Sequence, residues 1–321
     1  ANPGILPEHN SVIIDEAHNL VKSAYDQFKI EWTEQNSLYQ IQNIDPSSPR
    51  SARWSNLLNK VCIQNSELSK IIEELKISIK EAKKSLKTMM DNISHENYSQ
   101  FDPFKTYQNK PILKNIEKTY QSVHEDINLM EKDLKNILMS LDKIRKVILE
   151  VDNTRTKYGT LHSIFDNGHD KINRLLSDLI CLTANQDIDT VYWMEGDFKY
   201  KNTSKEKLFI TLHASLIDAS INMTDKFFNR FHNVLLTSAT LKVNNSFNYF
   251  LNRIGLKNID SVVTKEFFSP FLYDEQVTFH QYNGAVELSS NSEKIGNLII
   301  DLNKKFSRRI LVLFTSTKTL T

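Results

Sequence analysis

The sequence predicts an α/β fold whose sheet-forming part is interrupted by a long, all-helical insertion. Two apolar runs, residues 12–14 and residues 234–236, each end abruptly in polar residues, as buried strands of a parallel sheet do. Between them, apolar residues recur in alternating steps of four and three along two long stretches, which is the spacing of packed amphipathic helices. A strand, helix and strand order near the end predicts the start of a second α/β lobe.

The composition indicates a globular protein without an extended basic surface. The 321 residues suffice for about two domains, and the formal net charge is +1, so any nucleic-acid site has to be local. Cys62 and Cys181 fit neither a disulfide framework nor a metal cluster. No apolar run reaches the roughly 18 residues of a membrane span. No secretory signal is recognisable either, so a cytoplasmic location is expected.

The first informative stretch is residues 11–20, whose sequence is SVIIDEAHNL. The predicted strand ends in Asp15 and Glu16, at the carboxyl edge of the sheet where α/β proteins bind their ligands. Phosphoryl transfer needs one carboxylate that holds Mg²⁺, usually through water, and a second group that orients the attacking water. Asp15 suits the first role and Glu16 the second. The alternative is a surface turn that happens to carry two charges.

The second informative stretch is Thr-Ser-Ala-Thr at residues 237–240, which follows the strand at 234–236. Small hydroxyl side chains at a strand end can exchange hydrogen bonds with a neighbouring turn. If the two strands are adjacent, His18 can bond to Ser238 or Thr240 and couple the two strand ends. Taken alone, the hydroxyl cluster would be interpreted as a helix N-cap.

The helical insertion is predicted from two heptad seams of similar length. Arms of about 40 residues at 1.5 Å rise would form an antiparallel coiled-coil hairpin roughly 60 Å long, although a dimerisation rod is the alternative. Lys80, Lys83, Lys84 and Lys87 lie on the outer face of the first arm and form either a solvated face or a nucleic-acid contact. The first seam is Trp54, Leu58, Val61, Asn65, Leu68, Ile72, Leu75, Ile79, Ala82, Leu86, Met89 and Ile93, and the second runs from Leu113 to Val151.

Weaker patterns predict the remaining elements. A short helix after Leu20, an edge strand at 30–32, a loop at 153–169 and a helix at 170–184 flank the heptad region. Two β-rich runs, 191–194 and 208–212, predict a hairpin whose turn region includes Gly196. Further elements are expected at 218–230 (helix), 246–254 (helix closed by Gly255), 277–282 (strand), 289–307 (helix) and 310–314 (strand).

These motifs together resemble a known family. Asp-Glu-Ala-His at 15–18 resembles motif II of the DEAH-box superfamily-two helicases, and Leu-Thr-Ser-Ala-Thr-Leu at 236–241 resembles their motif III. The long helical gap between the two is similar to that of the DinG/XPD (Rad3-related) branch, which carries its Arch domain there. Smaller similarities lie at 6–7, 192–195, 215–218 and 269–271, and residues 311–316 resemble motif IV.

The resemblance implies an ATP-dependent 5′–3′ DNA helicase acting in DNA repair or replication. It implies one RecA-like motor lobe at 1–33 and 190–285, an Arch-type insertion at 34–189, and the start of a second RecA-like lobe at 286–321. The family's P-loop precedes motif II, so the 321-residue chain alone is expected to be inactive. A non-enzymatic coiled-coil scaffold and a degenerate DNA-binding relative remain the alternatives.

The resemblance also assigns roles to individual residues. Asp15 would hold Mg²⁺–ATP through water, Glu16 would be the catalytic base, and Thr315 and Ser316 would be minor phosphate contacts. His18, Thr237, Ser238 and Thr240 would couple hydrolysis to DNA. The implied cofactors are ATP and Mg²⁺, with a 4Fe–4S cluster left open for the upstream part of the parent protein. The implied partner is single-stranded or forked DNA, bound by a monomer in a bacterial cytoplasm near the nucleoid.

Overall fold

The computed structural model describes residues 9–102, 110–184, 187–200, 206–278, 292–307 and 309–313. The chain divides into two compact units, Ala1–Val262 and Val263–Thr321. The described residues are a mixture of helix and sheet, which agrees with the predicted α/β class. None of the described helices is both long and apolar enough to cross a membrane.

The first unit contains five strands and nine helices among its described residues. In chain order they are β1 (Ser11–Ile14), α1 (Leu20–Phe28), β2 (Ile30–Thr33), α2 (Glu34–Asn43), α3 (Ala52–Gln64), α4 (Ser66–Asn97), α5 (Ile116–Tyr120), α6 (His124–Val151), α7 (Gly159–Thr183), β3 (Thr190–Tyr200), β4 (Glu206–Leu216), α8 (Ser220–Lys226), β5 (Asn233–Leu236) and α9 (Asn248–Arg253). Short 3₁₀ turns occur at Ala17–Asn19, Pro49–Ser51, Tyr98–Gln100, Gln121–Val123 and Phe228–Arg230.

β1 and β5 are adjacent parallel strands, although more than 200 residues separate them. Their register pairs Ser11 with Asn233 and Ile14 with Leu236, so the two strands end side by side. One face of this pair contacts a small core formed by α1, α8 and α9, which includes Ala17, Ala24, Met223, Phe250 and Ile254. The adjacency predicted from the two apolar runs is therefore present in the fold.

β2, β4 and β3 form a separate antiparallel sheet in that order. β2 lies at one edge, as predicted, and the predicted hairpin is formed by β3 and β4. Gly196, however, pairs with Ile210 inside the ladder, so its assignment to the turn was wrong. A Cβ at position 196 would collide with the ring of Phe101, and the glycine therefore permits a close approach rather than a turn.

α4 and α6 pack antiparallel within the chain, as the matching seams predicted. Near one end the Asn92 amide donates to Asp126 Oδ2 at 2.7 Å, and near the other Lys143 Nζ lies 3.1 Å from Glu74 Oε2. The seam side chains are almost completely buried, including Leu68, Leu75, Ile79, Leu86, Met89, Ile93, Met130, Leu134, Ile137, Leu141 and Ile144. Removing these apolar surfaces from water is the main stabilisation of the bundle.

The first predicted arm is divided into two helices at Asn65. The side chain of Asn65 accepts a hydrogen bond from the Leu68 amide at 3.0 Å and so caps α4 instead of continuing the seam. α4 is 32 residues long, or about 48 Å at 1.5 Å rise, which is shorter than the predicted arm. The predicted length was wrong because an N-cap asparagine can fall on a heptad position.

The loop predicted at 153–169 is mostly helical. α7 begins at Gly159 and runs for 25 residues along α6. The two helices are joined by an ion pair in which Arg145 Nε of α6 lies 2.7 Å from Asp166 Oδ1 of α7. Gly168 lies inside this helix. A Cβ at this position would overlap the side chain of Ile44, so the glycine allows the two to pack closely. Glycine was interpreted as a loop signal, but here it permits helix packing. The insertion is consequently a bundle with more than two long helices.

The second unit has less regular structure than the sequence predicted. It contains α10 (Tyr273–Gln276) and α11 (Ser292–Phe306), the latter within the helix predicted at 289–307. Residues 277–278 and 310–313 belong to no strand among the described residues. A segment forms a β-strand only where its backbone is hydrogen-bonded to a neighbouring strand, and an apolar sequence run alone does not provide that neighbour. The rest of the two predicted strands, 279–282 and Phe314, lies outside the described residues.

His213 is buried in the face of the antiparallel sheet that points away from the helices. Its ring is 2% exposed and stacks on Trp193 at 4.9 Å. Nε2 lies 3.5 Å from Glu195 Oε1 and Nδ1 lies 4.0 Å from Glu31 Oε2, yet neither nitrogen makes a hydrogen bond to the described residues. Burial and the charge of Lys29 lower the pKa of His213, with a smaller contribution from Lys110, whereas the two carboxylates oppose that shift.

We expect the thermal stability of the chain to fall as the pH drops through about 6.5, the ordinary histidine pKa. The unfolded chain then binds a proton at this position that the folded chain resists, so protonation favours unfolding. Between pH 7.5 and 5.5, the Tm of His213→Phe should therefore fall less than the Tm of the wild type. His95→Gln, which changes an exposed histidine, is the control. Parallel Tm curves for the wild type and His213→Phe would contradict the assignment.

Candidate functional site

The carboxyl ends of β1 and β5 are joined by backbone hydrogen bonds. The Thr237 amide donates to the Ile14 carbonyl at 2.9 Å, and the Ala17 amide donates to the Thr237 carbonyl at 2.9 Å. Ala17 is completely buried in the small core, which fixes the turn against the protein body. The two polar turns that the sequence singled out are therefore held against each other by main-chain geometry.

Asp15 and Thr237 make the shortest side-chain contact between the two turns. The Thr237 hydroxyl donates to Asp15 Oδ1 at 2.7 Å, and the Glu16 amide donates to the same oxygen at 2.9 Å. The Thr237 bond, followed by the Glu16 bond, lowers the pKa of Asp15, because each stabilises the charged carboxylate. Among the described residues no donor contacts the other oxygen, Oδ2. Asp15 thus presents an ionised and exposed carboxylate with one oxygen available.

Glu16 has an unusual backbone conformation. Its φ of 50° and ψ of 42° lie in the left-handed region, which costs a non-glycine residue about 1–2 kcal/mol. This conformation turns the chain from β1 into the Ala17–Asn19 turn. The Glu16 side chain is 62% exposed, with Oε2 3.1 Å from His18 Nδ1 and 3.4 Å from Ser238 Oγ. Local strain of this kind is common at functional sites.

The hydroxyl of Ser238 connects the two turns a second time. His18 Nδ1 lies 2.9 Å from Ser238 Oγ, and the Thr240 amide donates to the same oxygen at 3.3 Å. Of the two partners that the sequence allowed for His18, the fold selects Ser238. Thr240 enters this network through its backbone amide. A change in the position of Ser238 would therefore alter its contacts with both Glu16 and His18.

The structure brings together six of the eight residues predicted for the site: Asp15, Glu16, His18, Thr237, Ser238 and Thr240. The other two, Thr315 and Ser316, lie outside the described residues. Sequence reasoning missed Tyr25 of α1, whose hydroxyl donates to the carbonyl of Ile217 at 3.0 Å and ties the helix after the first turn to the end of β4. It also missed the anchoring role of Ala17, for which a small apolar residue between the polar residues Glu16 and His18 was the available signal.

The donor set fits a magnesium ion that arrives with a nucleotide. Mg²⁺ usually keeps several waters and binds through one or two carboxylates together with the phosphates of its substrate. The open oxygen of Asp15 can serve such an ion directly or through water. The described residues contain no cluster of three or more His, Cys, Asp or Glu side chains that could hold a metal ion by itself. Cys62 and Cys181 are both free thiols.

The fold and the site define a mixed α/β protein in which carboxylate and hydroxyl turns meet at the ends of two parallel strands. No family model matches the chain. Over 194 residues, or 59% of the chain, it is 30% identical to the protein named 3′-5′ exonuclease DinG of Bacillus subtilis (strain 168), and the match covers 18% of that protein. The chain is therefore similar to a DinG protein over part of its length and spans less than one fifth of that relative.

Proposed function

We propose that this chain is the central part of an ATP-dependent DNA helicase of the DinG/XPD type. Such a protein couples ATP hydrolysis to 5′–3′ translocation on single-stranded DNA in repair or replication. The observation that carries the proposal is the double connection between strand ends that are 222 residues apart, by Asp15 with Thr237 and by Glu16 with Ser238. A site of this kind links a phosphoryl-transfer carboxylate to a second structural element.

Each side chain in the site has a defined role in the proposal. Asp15, ionised and oriented by Thr237, holds the magnesium ion of Mg²⁺–ATP through water. Glu16 orients the attacking water and accepts its proton. When bound, the ion neutralises charge on the phosphates. His18, Ser238 and the backbone of Thr240 transmit the position of one turn to the other, which couples hydrolysis to DNA.

The architecture is assigned in the same proposal. The β1–β5 part is one RecA-like lobe, which the helical bundle interrupts as an Arch-type insertion, and residues 286–321 begin a second lobe. The predicted boundaries at 33, 189 and 285 are kept. Pairing of α4 with α6 inside one chain supports a monomer, because the described seam residues of both helices are buried against each other. The partner is single-stranded or forked DNA in the bacterial cytoplasm. The proposal includes no assignment of a 4Fe–4S cluster to the upstream part of the parent protein.

The name of the DinG relative raises the question of nuclease chemistry. Nucleases commonly use two metal ions about 3.5–4 Å apart, which require several converging carboxylates. The described part of this chain contains no such cluster, so the proposal assigns it to the motor. The coiled-coil scaffold alternative is disfavoured by the 2.7 Å contact between Asp15 and Thr237, since an incidental acidic turn needs no such partner.

ATP hydrolysis by the full-length protein, measured with and without single-stranded DNA, tests the proposal. DNA-stimulated turnover is expected, and a forked substrate with one free 5′ end should be unwound in preference to its 3′ counterpart. DNA binding without any turnover would instead indicate the degenerate DNA-binding relative. The absence of both turnover and DNA binding would favour the scaffold.

Ser238→Ala is expected to separate hydrolysis from unwinding in the full-length protein. The change removes the hydroxyl that contacts Glu16 and His18 but leaves Asp15 and its Thr237 bond in place. The rate of unwinding should fall roughly tenfold or more further than the rate of basal ATP hydrolysis. Thr240→Ala keeps the backbone amide that bonds to Ser238 and should have the smaller effect. Equal losses of both activities in Ser238→Ala would indicate a folding defect.

A further inference from the structure

Helix α4 carries a group of exposed lysines that the strand-end site does not use. Lys80, Lys84 and Lys87, called here the α4 lysine face, lie on one side of the helix because they are spaced by four and three residues. All three are exposed, and none has a salt-bridge partner among the described side chains. The two lysines that flank this face are paired, Lys76 with Glu73 and Lys83 with Asp45, each at 2.6 Å.

The lysine face keeps like charges next to one another. Lys80 and Lys84 are four residues apart, and Lys84 and Lys87 are three apart. Each like-charge neighbour of this kind slightly destabilises a helix. Several other cations of the bundle have acidic partners close by, as in Lys135 with Glu131, Lys143 with Glu74, Arg145 with Asp166, and Arg155 with Asp166. The three lysines of the α4 face make no such ion pair among the described side chains, although exposed Glu81 precedes Lys84 by three residues, and a bound anion would neutralise their charge.

The geometry of the face suits a linear polyanion. Successive charges rise by about 6 Å and then 4.5 Å along the helix, so they form a short row. One further turn along the same side, Asp91 bonds to Lys207 of β4 at 2.7 Å. Lys207 lies 5.0 Å above the ring of Phe209, so the row ends beside an aromatic side chain on the sheet. Surfaces that bind a single strand commonly combine a row of basic residues with nearby aromatic rings.

We propose that the α4 lysine face binds the phosphate backbone of single-stranded nucleic acid, at a site separate from the strand-end turns. Lysine binds phosphate as a point charge and carries no sequence information, so this contact is independent of base sequence. Asp91, the carboxylate on the same side, is already paired with Lys207, so the three lysines present unbalanced positive charge. Such a surface favours a uniform polyanion over a protein partner, whose surface would present both charges. The inference goes beyond the proposed helicase activity and is tested on the same full-length protein.

The test measures how affinity for a labelled oligo-dT depends on salt. Each phosphate contact by a lysine contributes about 0.7 to the slope of log K against log salt for a single strand. The variant Lys80→Gln/Lys84→Gln/Lys87→Gln should therefore lose roughly two units of slope. It should also bind at least about tenfold more weakly at low salt. The control, Lys118→Gln/Lys132→Gln/Lys146→Gln, removes the same charge from exposed positions on α5 and α6 and should lose less than one unit.

The outcomes distinguish this inference from the proposed function. A triple α4 variant with the wild-type slope and affinity would overturn the inference while leaving DNA-stimulated ATPase as support for the motor. A reduced slope in a protein without ATPase would support the lysine face and remove the motor. Wild-type protein that binds no single strand would overturn both. Because the variant relieves like-charge contacts, its Tm is expected to equal or exceed that of the wild type. Such a measured Tm would exclude unfolding as the cause of weaker binding.

Discussion

Glu16→Gln in the full-length protein is expected to leave binding of Mg²⁺–ATP unchanged and to lower ATP turnover by about 10²-fold or more, since a positioned general base contributes about 10²–10⁴-fold. The substitution keeps the size of the side chain and its contact with Ser238 but removes the group that accepts the proton of water. Asp15 and its bond to Thr237 are untouched, so the ion should still be held.

The measurement compares steady-state turnover and nucleotide affinity in the wild type, Glu16→Gln and Glu150→Gln. Glu150 is an exposed glutamate near the end of α6 and should behave as the wild type. If Glu16→Gln retains turnover, Glu16 is not the base. If it loses nucleotide affinity as well as turnover, its carboxylate contributes to holding the ion rather than to positioning water.

Leu75→Asp is expected to unfold the helical bundle. Leu75 lies on α4 with no exposed surface, and the substitution both deletes apolar contacts and places a carboxylate in the core. The expected loss is more than about 4 kcal/mol, the range of the most severe single substitutions. Circular dichroism should show a large decrease in helix content at 25 °C. Ile77→Asp, on the same helix but 59% exposed, should change stability by less than about 0.5 kcal/mol.

Light scattering of the same variants tests whether the helical seams pair within one chain. A wild-type monomer, and a Leu75→Asp variant that is also monomeric but less helical, would agree with the packing of α4 on α6. A wild-type dimer that becomes a monomer in Leu75→Asp would show that the seams pair between chains. That result would favour the scaffold alternative.

The predictable parts of the fold are those in which one physical requirement determines the pattern. The α4–α6 seam has to repeat its apolar residues every three or four positions, and the residues of β1 and β5 that face the small core have to be apolar. The prediction that both strands are buried was wrong, because Ile13 and Leu235 on the other face are exposed. The other errors occurred where one residue type serves two purposes. Asn65 keeps the heptad spacing yet caps a helix, while Gly168 and Gly196 permit close packing inside regular elements instead of marking turns.

The site could be predicted as a set of neighbours but not in its individual bonds. The carboxylates and hydroxyls follow two strands that become adjacent, which is sufficient to bring Asp15 and Thr237 together. Whether His18 contacts Ser238 or Thr240 depends on the path of the second turn and on the left-handed backbone of Glu16. Neither is encoded in the spacing of the motif. Tyr25 was missed because its partner, the carbonyl of Ile217, leaves no trace in the sequence.

The pairing of β2 with β4 affects how easily β1 can meet β5. Once Ile30 is held opposite Ala214, β1 and β5 are separated by roughly 35 residues of connecting chain instead of by the 222 residues between them in the sequence. Loop-closure entropy then favours their association by about 1.6 kcal/mol. The helical bundle and its sheet therefore raise the effective concentration of one strand around the other. Damage to the bundle should weaken assembly of the strand-end site through chain connectivity alone, even where no side chain joins the two regions.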